Sequence, residues 1–227
     1  MNLFIALFQA ADTEEETTSQ SILDIITASG PLGIIIVGIL LLLSFLALYI
    51  FINKYFAIKR AGKIDNSFMN NIRSAVQAGN ISGAQKLCGN YNSPVARMLE
   101  KGLIRIGKPL KEINASIENV GNLELFKLEK NLSSLASIAG AAPMIGFFGT
   151  VTGMIMAFYE MATQSNVSPD LLAGGIYQAL ITTAFGLFIG IFAFVGYNYL
   201  VSKVEGVVFK MEQSTVEFMD LLQEPVA

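Results

Sequence analysis

The residues of this chain that could do chemistry in an apolar setting are hydroxyls and amides. They are Thr150, Thr152, Gln178, Thr182 and Thr183, with Asn198 further along. They lie in two stretches without a single charge, residues 132–159 and 171–202, which are 28 and 32 residues long. Gln178, Thr182 and Thr183 recur at one helical turn or slightly more, and Thr150 sits between Gly149 and Gly153, which form a GxxxG. Hydroxyls and amides can bond a water or a proton carrier, but they do not hold a proton themselves at neutral pH. An ion path through a membrane is normally marked by charged side chains, and the interior of these stretches has none. If the protein moves a proton, the titrating group must come from a partner. The plain alternative for a membrane Thr is a bond back to its own i−4 carbonyl. Glu160 and Asp170 fall at the outer ends of the stretches, where an interfacial role is the plain reading.

Other chemistries find no support. The chain has no His, which removes the commonest metal ligand and general base. Cys88 is its one cysteine, so there is no intrachain disulfide framework. No phosphate-binding glycine loop, GxSxG or metal-ligand spacing occurs, and GKPLK at 107–111 lacks the upstream glycine of a P-loop. The reading is therefore not an enzyme, with no cofactor and no metal. Acidic residues alternate with lysines at helical spacing in the polar part, as on a solvated helix face. With a net charge of −3 and no basic run with interleaved aromatics, nucleic acid is not an expected partner.

The elements that must position the hydroxyls follow from composition. Of 227 residues 53% are hydrophobic and 15% charged, against roughly 25% charged in an average soluble domain, and the mean hydropathy is +0.55. Both uncharged stretches are long enough to cross a hydrocarbon core of about 30 Å as helices, and so is 32–52 after Gly30-Pro31. A proline suits a helix start, where its missing N–H costs nothing. The span at 32–52 is Leu- and Ile-rich, the profile of a lipid-facing helix. The span at 132–159 is instead studded with small residues, which let another backbone approach closely. Pro143, Gly146, Gly149 and Gly153, and on the third span Gly186 and Gly190, are its expected helix-packing positions.

Between the first two spans, 53–131 forms a polar, helical domain. Its punctuation predicts helices after Asp65, after Asn80 and from Ser93-Pro94 to about Gly107. From Pro109 onward apolar residues recur at helical spacing with no breaker, which predicts one long helix entering the membrane, with Gly121 as its weak point and a kink near Pro143. The third span continues as an amphipathic helix over 203–227. Residues 1–31 read as an outer segment lying at the membrane surface and then mobile. Lys and Arg are segregated: none in 1–31 or 160–170, 13 in 53–131 and 2 in the tail, all 15 in the chain. The positive-inside rule then places the N-terminus and the 160–170 loop outside and the rest in the cytoplasm, where Cys88 is an inert thiol in a reducing compartment. The expectation is an all-α integral membrane protein with three spanning helices, the second and third extended into the cytoplasm.

The stretch APMIGFFGTVTGMIMAF, followed by GGIYQALITTAFGLFIGIFAFVGYN, resembles the ExbB/TolQ/MotA proton-channel family. The residues that carry it are Ala142-Pro143, Gly146, Gly149-Thr150-Val151, Gly153-Met154-Ile155 and Phe158, then Ala179-Leu180, Thr183-Ala184, Gly186-Leu187 and Tyr197-Asn198. SPVARMLEKGLIRIGKPL and SIENVGNLE resemble its ExbB branch in the Bacteroidetes-type form. The resemblance implies a homopentameric ring in the inner membrane around helices of an ExbD-like, single-span partner that supplies a membrane Asp. It implies proton flow between ring and partner that drives a TonB-like transducer, with Thr150 and Thr183 as ring-lining threonines; by their spacing Gln178 and Thr182 are expected to line the same proton path. Where the family often has Glu before the AL of the third span, this chain has Gln178, so a titrating carboxylate on the ring is not expected. A TolQ-like or MotA-like motor with another load, and a passive scaffold whose small-residue faces only pack helices, are the alternatives.

Overall fold

The computed structural model describes residues 30–63, 66–163 and 169–223. Seven helices make up the described residues: α1 (Gly30–Ala61), α2 (Asn66–Gln77), α3 (Ile81–Asn90), α4 (Pro94–Ile104), α5 (Leu110–Glu129), α6 (Leu132–Thr163) and α7 (Pro169–Gln223). They divide into two units, one of residues 30–39, 145–163 and 169–185, the other of 40–144 and 186–223. The expected outer segment at 1–29, the start at Asp65 and residues 164–168 of the 160–170 loop lie outside the described residues.

Three of the helices, α1, α6 and α7, are long and apolar enough to cross a membrane. At 1.5 Å per residue the 32 residues of α1 and of α6 run about 48 Å and the 55 residues of α7 about 82 Å, all longer than a bilayer core. On α1 the buried positions Leu40, Ala47, Ile50, Ile58 and Ala61 fall on one stripe. Leu42, Phe45 and Tyr49 on its other faces are 64%, 72% and 65% exposed. Apolar area left open on that scale costs roughly 25 cal/mol per Å² in water, so these faces belong against lipid or another protein.

The second unit contains the polar-region helices, and local chemistry starts them. The Asn80 side chain accepts from the Gly83 N–H at 2.9 Å at the head of α3, and the Ser93 hydroxyl accepts from the Ala96 N–H at 3.2 Å at the head of α4, with Pro94 in its first turn. Phe68, Ile72, Leu99, Leu103, Ile117 and Phe218 are fully buried here, so the end of α7 shares the core of α2, α4 and α5. At Gly102 a Cβ would stand 2.7 Å from Ile117 Cδ1 and 2.8 Å from Phe218 Cε1, so any side chain there would have to displace the packing of α4 against α5 and α7. Cys88 is buried, and burial first, then nearby Glu100, pushes its thiol up to about 12. A thiol held protonated in this way is a poor nucleophile.

The long helix expected from Pro109 into the membrane is broken. Lys130 turns extended, with φ −49° and ψ 131°, and Asn131 takes φ +70° before α6 starts at Leu132. The left-handed region is open to Asn at small cost because its short side chain bonds locally, so a break there leaves no pattern in the hydropathy. Gly121, the expected weak point, stays inside α5, where a Cβ would stand 3.0 Å from Met98 Cε. Pro143 stays inside α6.

Candidate functional site

In the first unit α6 and α7 run antiparallel along a seam of small residues. A Cβ on Gly149 would meet Thr182 Cβ at 2.8 Å, one on Gly153 would meet Ala179 Cβ at 3.0 Å, and one on Gly175 would meet Ala157 Cβ at 2.6 Å. Positions 149, 153 and 157 recur every fourth residue on α6 and face 182, 179 and 175 on α7. This register brings Thr150 of α6 beside Thr182 and Thr183 of α7.

The three hydroxyls share two backbone acceptors. Thr150 Oγ1 donates to Gly146 O or Ala179 O, both at 3.3 Å, and pairs with the Thr183 hydroxyl. Thr183 Oγ1 donates to Gly146 O at 3.0 Å, and Thr182 Oγ1 to Ala179 O at 2.7 Å or Gly146 O at 3.2 Å. Thr150 and Thr183 thus each reach a carbonyl of the other's helix. A carbonyl offers two lone pairs, so Gly146 O cannot take all three hydroxyls together with a helical N–H. The protons must distribute among alternative acceptors, and a hydroxyl can turn toward a water or carboxylate at little cost. Thr182 is 3% exposed, while Thr150 and Thr183 are half-buried.

Two of the candidate polar residues bond only within their own helices. Thr152 Oγ1 bonds Phe148 O at 2.9 Å and Gly149 O at 3.2 Å within α6, and Asn198 Nδ2 bonds Phe194 O at 3.0 Å within α7. Glu160 is exposed. The side chain of Gln178 lies outside the described residues. Gly186 is buried in the second unit, and there a Cβ on Gly190 would stand 2.7 Å from Pro143 Cδ, so the proline ring fills the space a side chain would take.

The MotA/TolQ/ExbB proton channel family matches residues 90–213, more than half of the chain and all three threonines of the seam. The chain belongs to that family. Its relatives include a protein of Methanothermobacter thermautotrophicus named as an ExbB homolog, 30% identical over 62% of this chain and 50% of its own length. The Tol-Pal system protein TolQ of Haemophilus influenzae is 38% identical over 44% of this chain and 42% of its own. The biopolymer transport protein ExbB of Neisseria gonorrhoeae is 36% identical over 49% of each. The chain spans half or less of the length of these relatives. A member of this family with three apolar helices is a membrane protein.

Ala157 and Gly175 complete the seam beyond the positions that motif spacing singled out, and Ala179, a motif residue, packs in it as well. The signal was present as a small residue every fourth position on both stretches, but which of them face each other depends on the register. Gly174 and Gly175 make the point, because a Cβ on Gly174 meets nothing within 4 Å. Gly175→Ala is expected to cost about 1–3 kcal/mol, since Ala157 has no rotamer through which to yield. Gly174→Ala should be neutral or stabilising by up to about 1 kcal/mol through helix propensity. Thermal melting of the two detergent-solubilised variants checks this, and equal melting would contradict the register.

Proposed function

We propose that this chain is the ring-forming subunit of a proton-driven motor in the bacterial inner membrane. The observation that carries this reading is the Thr150–Thr183 pair: two half-buried hydroxyls with exchangeable acceptors, in spans without an acidic or basic residue of their own. An ExbD-like single-span partner supplies the missing proton carrier, a membrane Asp. In a low-dielectric site that carboxylate prefers to be neutral, and a donated hydroxyl hydrogen bond favours its ionised form. The hydroxyls position the acceptor and its water while the partner titrates. Protonation from one side and release to the other then change which ring position the partner helix prefers. The segregation of all 15 basic residues supports an N-terminus in the periplasm and a cytoplasmic C-terminus.

The ring is a homopentamer in this reading, enclosing the partner's helix, and its load is a TonB-like energy transducer that opens outer-membrane transporters. A TolQ-type load is the second reading, supported by the 38% identity to the TolQ of Haemophilus influenzae. The test is the native mass and composition of the complex purified in detergent through a tag on this chain from its own cells. Several copies holding a small single-span protein with a membrane Asp are expected, and the gene beside that partner identifies the load. A lone oligomer without an acidic partner would leave the chain a scaffold, because it has no proton carrier of its own.

A further inference from the structure

In the second unit α1 and α7 open a cavity of about 420 Å³, lined by Tyr55, Lys59, Gly62, Lys63 and Ile58 on α1's side and by Tyr199, Ser202, Lys203, Gly206 and Lys210 on α7. Four lysines and no carboxylate line it. Its base is a matched pair of motifs: Tyr55 and Tyr199 stack with centroids 6.3 Å apart, Lys59 Nζ lies 5.6 Å from the Tyr55 centroid, and Lys203 Nζ lies 5.4 Å from the Tyr199 centroid. Lys210 Nζ donates to Gly62 O at 3.0 Å, which ties the two helices together below the tyrosines and leaves its other protons free to donate. The cavity stands where both helices stop being uncharged, after Asn53 on α1 and after Ser202 on α7. Tyrosines at the interface with lysines just beyond it are the furniture of a membrane boundary.

Four ammonium groups around one opening repel one another, and an anion among them relieves that cost. We propose that this cavity binds the phosphate of an anionic phospholipid headgroup, with Lys59 and Lys203 as its principal donors and Ser202 as a hydroxyl donor. Basic pockets between spanning helices are suited to such headgroups, and each lysine near the surface strengthens the attraction. The acyl chains would lie along the exposed apolar faces of the same helices, among them Phe56, Phe192 and Val195, which are 52%, 41% and 60% exposed. This inference rests on the membrane assignment and not on the motor reading.

The test is native mass spectrometry of the full-length complex in detergent, loaded with phosphatidylglycerol or phosphatidylcholine. Phosphatidylglycerol is expected to be retained after phosphatidylcholine has been stripped. Lys59→Gln with Lys203→Gln should weaken retention roughly twenty- to thirty-fold, and Lys101→Gln with Lys108→Gln, on exposed sites far along the chain, should leave it unchanged. Gly206→Leu is a second probe that keeps every charge. A Cβ there meets nothing within 4 Å, so the side chain fills the cavity without disturbing the fold and should also abolish retention. Equal retention of both lipids, or equal loss from the two lysine pairs, would overturn the proposal. Displacement of the lipid by millimolar inorganic phosphate would replace the headgroup with a free anion. Dissociation of the oligomer by Lys59→Gln with Lys203→Gln would instead assign the lysines to an acidic groove of a second copy, such as that of Glu129, Glu205 and Glu212.

Discussion

On the motor reading proposed above, Thr150→Val and Thr183→Val are each expected to abolish proton-driven work while the oligomer and its partner still assemble. Magnitudes separate the two effects. Each threonine reaches a carbonyl of the other helix and the other's hydroxyl with a single proton to donate, and interhelical bonds within membranes average about 0.6 kcal/mol each. Valine keeps the branched shape, and the contacts of Gly149, Gly153 and Gly175 are untouched, so the seam holds. A hydrogen bond to a charged acceptor is worth about 1.5–3 kcal/mol, and its loss changes the population of an ionised partner carboxylate by roughly ten- to a hundred-fold. Thr→Ser restores the hydroxyl at either position and should recover most of the activity. Thr182→Val is the internal control: its hydroxyl is 3% exposed and already satisfied by Ala179 O at 2.7 Å, so it should lower thermal stability slightly and leave proton flow intact. Proton flux into liposomes carrying the complex, read beside its native mass, checks all four variants. Full flux through Thr150→Val and Thr183→Val would remove the hydroxyl pair from the path and favour the scaffold.

The three threonines were legible because their chemistry is rare inside uncharged stretches and their spacing puts them at neighbouring turns. That Thr152 and Asn198 bond within their own helices while Thr150 and Thr183 cross between helices was not legible. The distinction depends on the antiparallel register, which hydropathy does not encode. The caps at Asn80 and Ser93-Pro94 were readable because they are set by nearest neighbours. The break at Asn131 was not, since Lys-Asn is an unremarkable dipeptide and the apolar periodicity of α5 and α6 continues on either side of it. Gly121 looked weak for the opposite reason: a glycine in a helix reads as a flaw until Met98 is seen packed against its Cα. The lysine cavity joins Lys59 and Lys63 to Lys203 and Lys210 across most of the chain, and no local pattern announces such a pairing.

Arg97→Ala loosens the polar domain by about 3 kcal/mol or more, the second large effect expected. Glu124 on α5 is 3% exposed, and its two oxygens are taken by Arg97 Nη2 from α4 and by Lys127 Nζ at 2.7 Å. Arg97 also donates Nη1 to Asn92 Oδ1 at 2.7 Å, so its planar fork spans two acceptors that a lysine could not reach together. Without Arg97 the buried carboxylate keeps only Lys127, whose side chain is 66% exposed, so most but not all of its compensation is lost, at a cost at the low end of about 3–5 kcal/mol. The Lys127 side chain is 66% exposed, so Lys127→Ala should cost no more than about 1 kcal/mol. Burial raises the Glu124 carboxyl, but the hydrogen bonds and charges of Arg97 and Lys127 outweigh it and hold the group below the usual carboxylate range. With the folded value below the unfolded one, the unfolded chain binds the extra proton as pH falls. The contribution is therefore complete above about pH 4.3, the ordinary Glu value, and is lost as pH drops through the folded value. Amide hydrogen exchange over α4 and α5 reads this locally: protection should fall in acid for the native chain, and Glu124→Gln should lack that acid-dependent share. Arg97→Ala should speed exchange in α4 and α5 by roughly a hundred-fold at neutral pH, and unchanged protection there would show that the pair is a surface bridge of little weight.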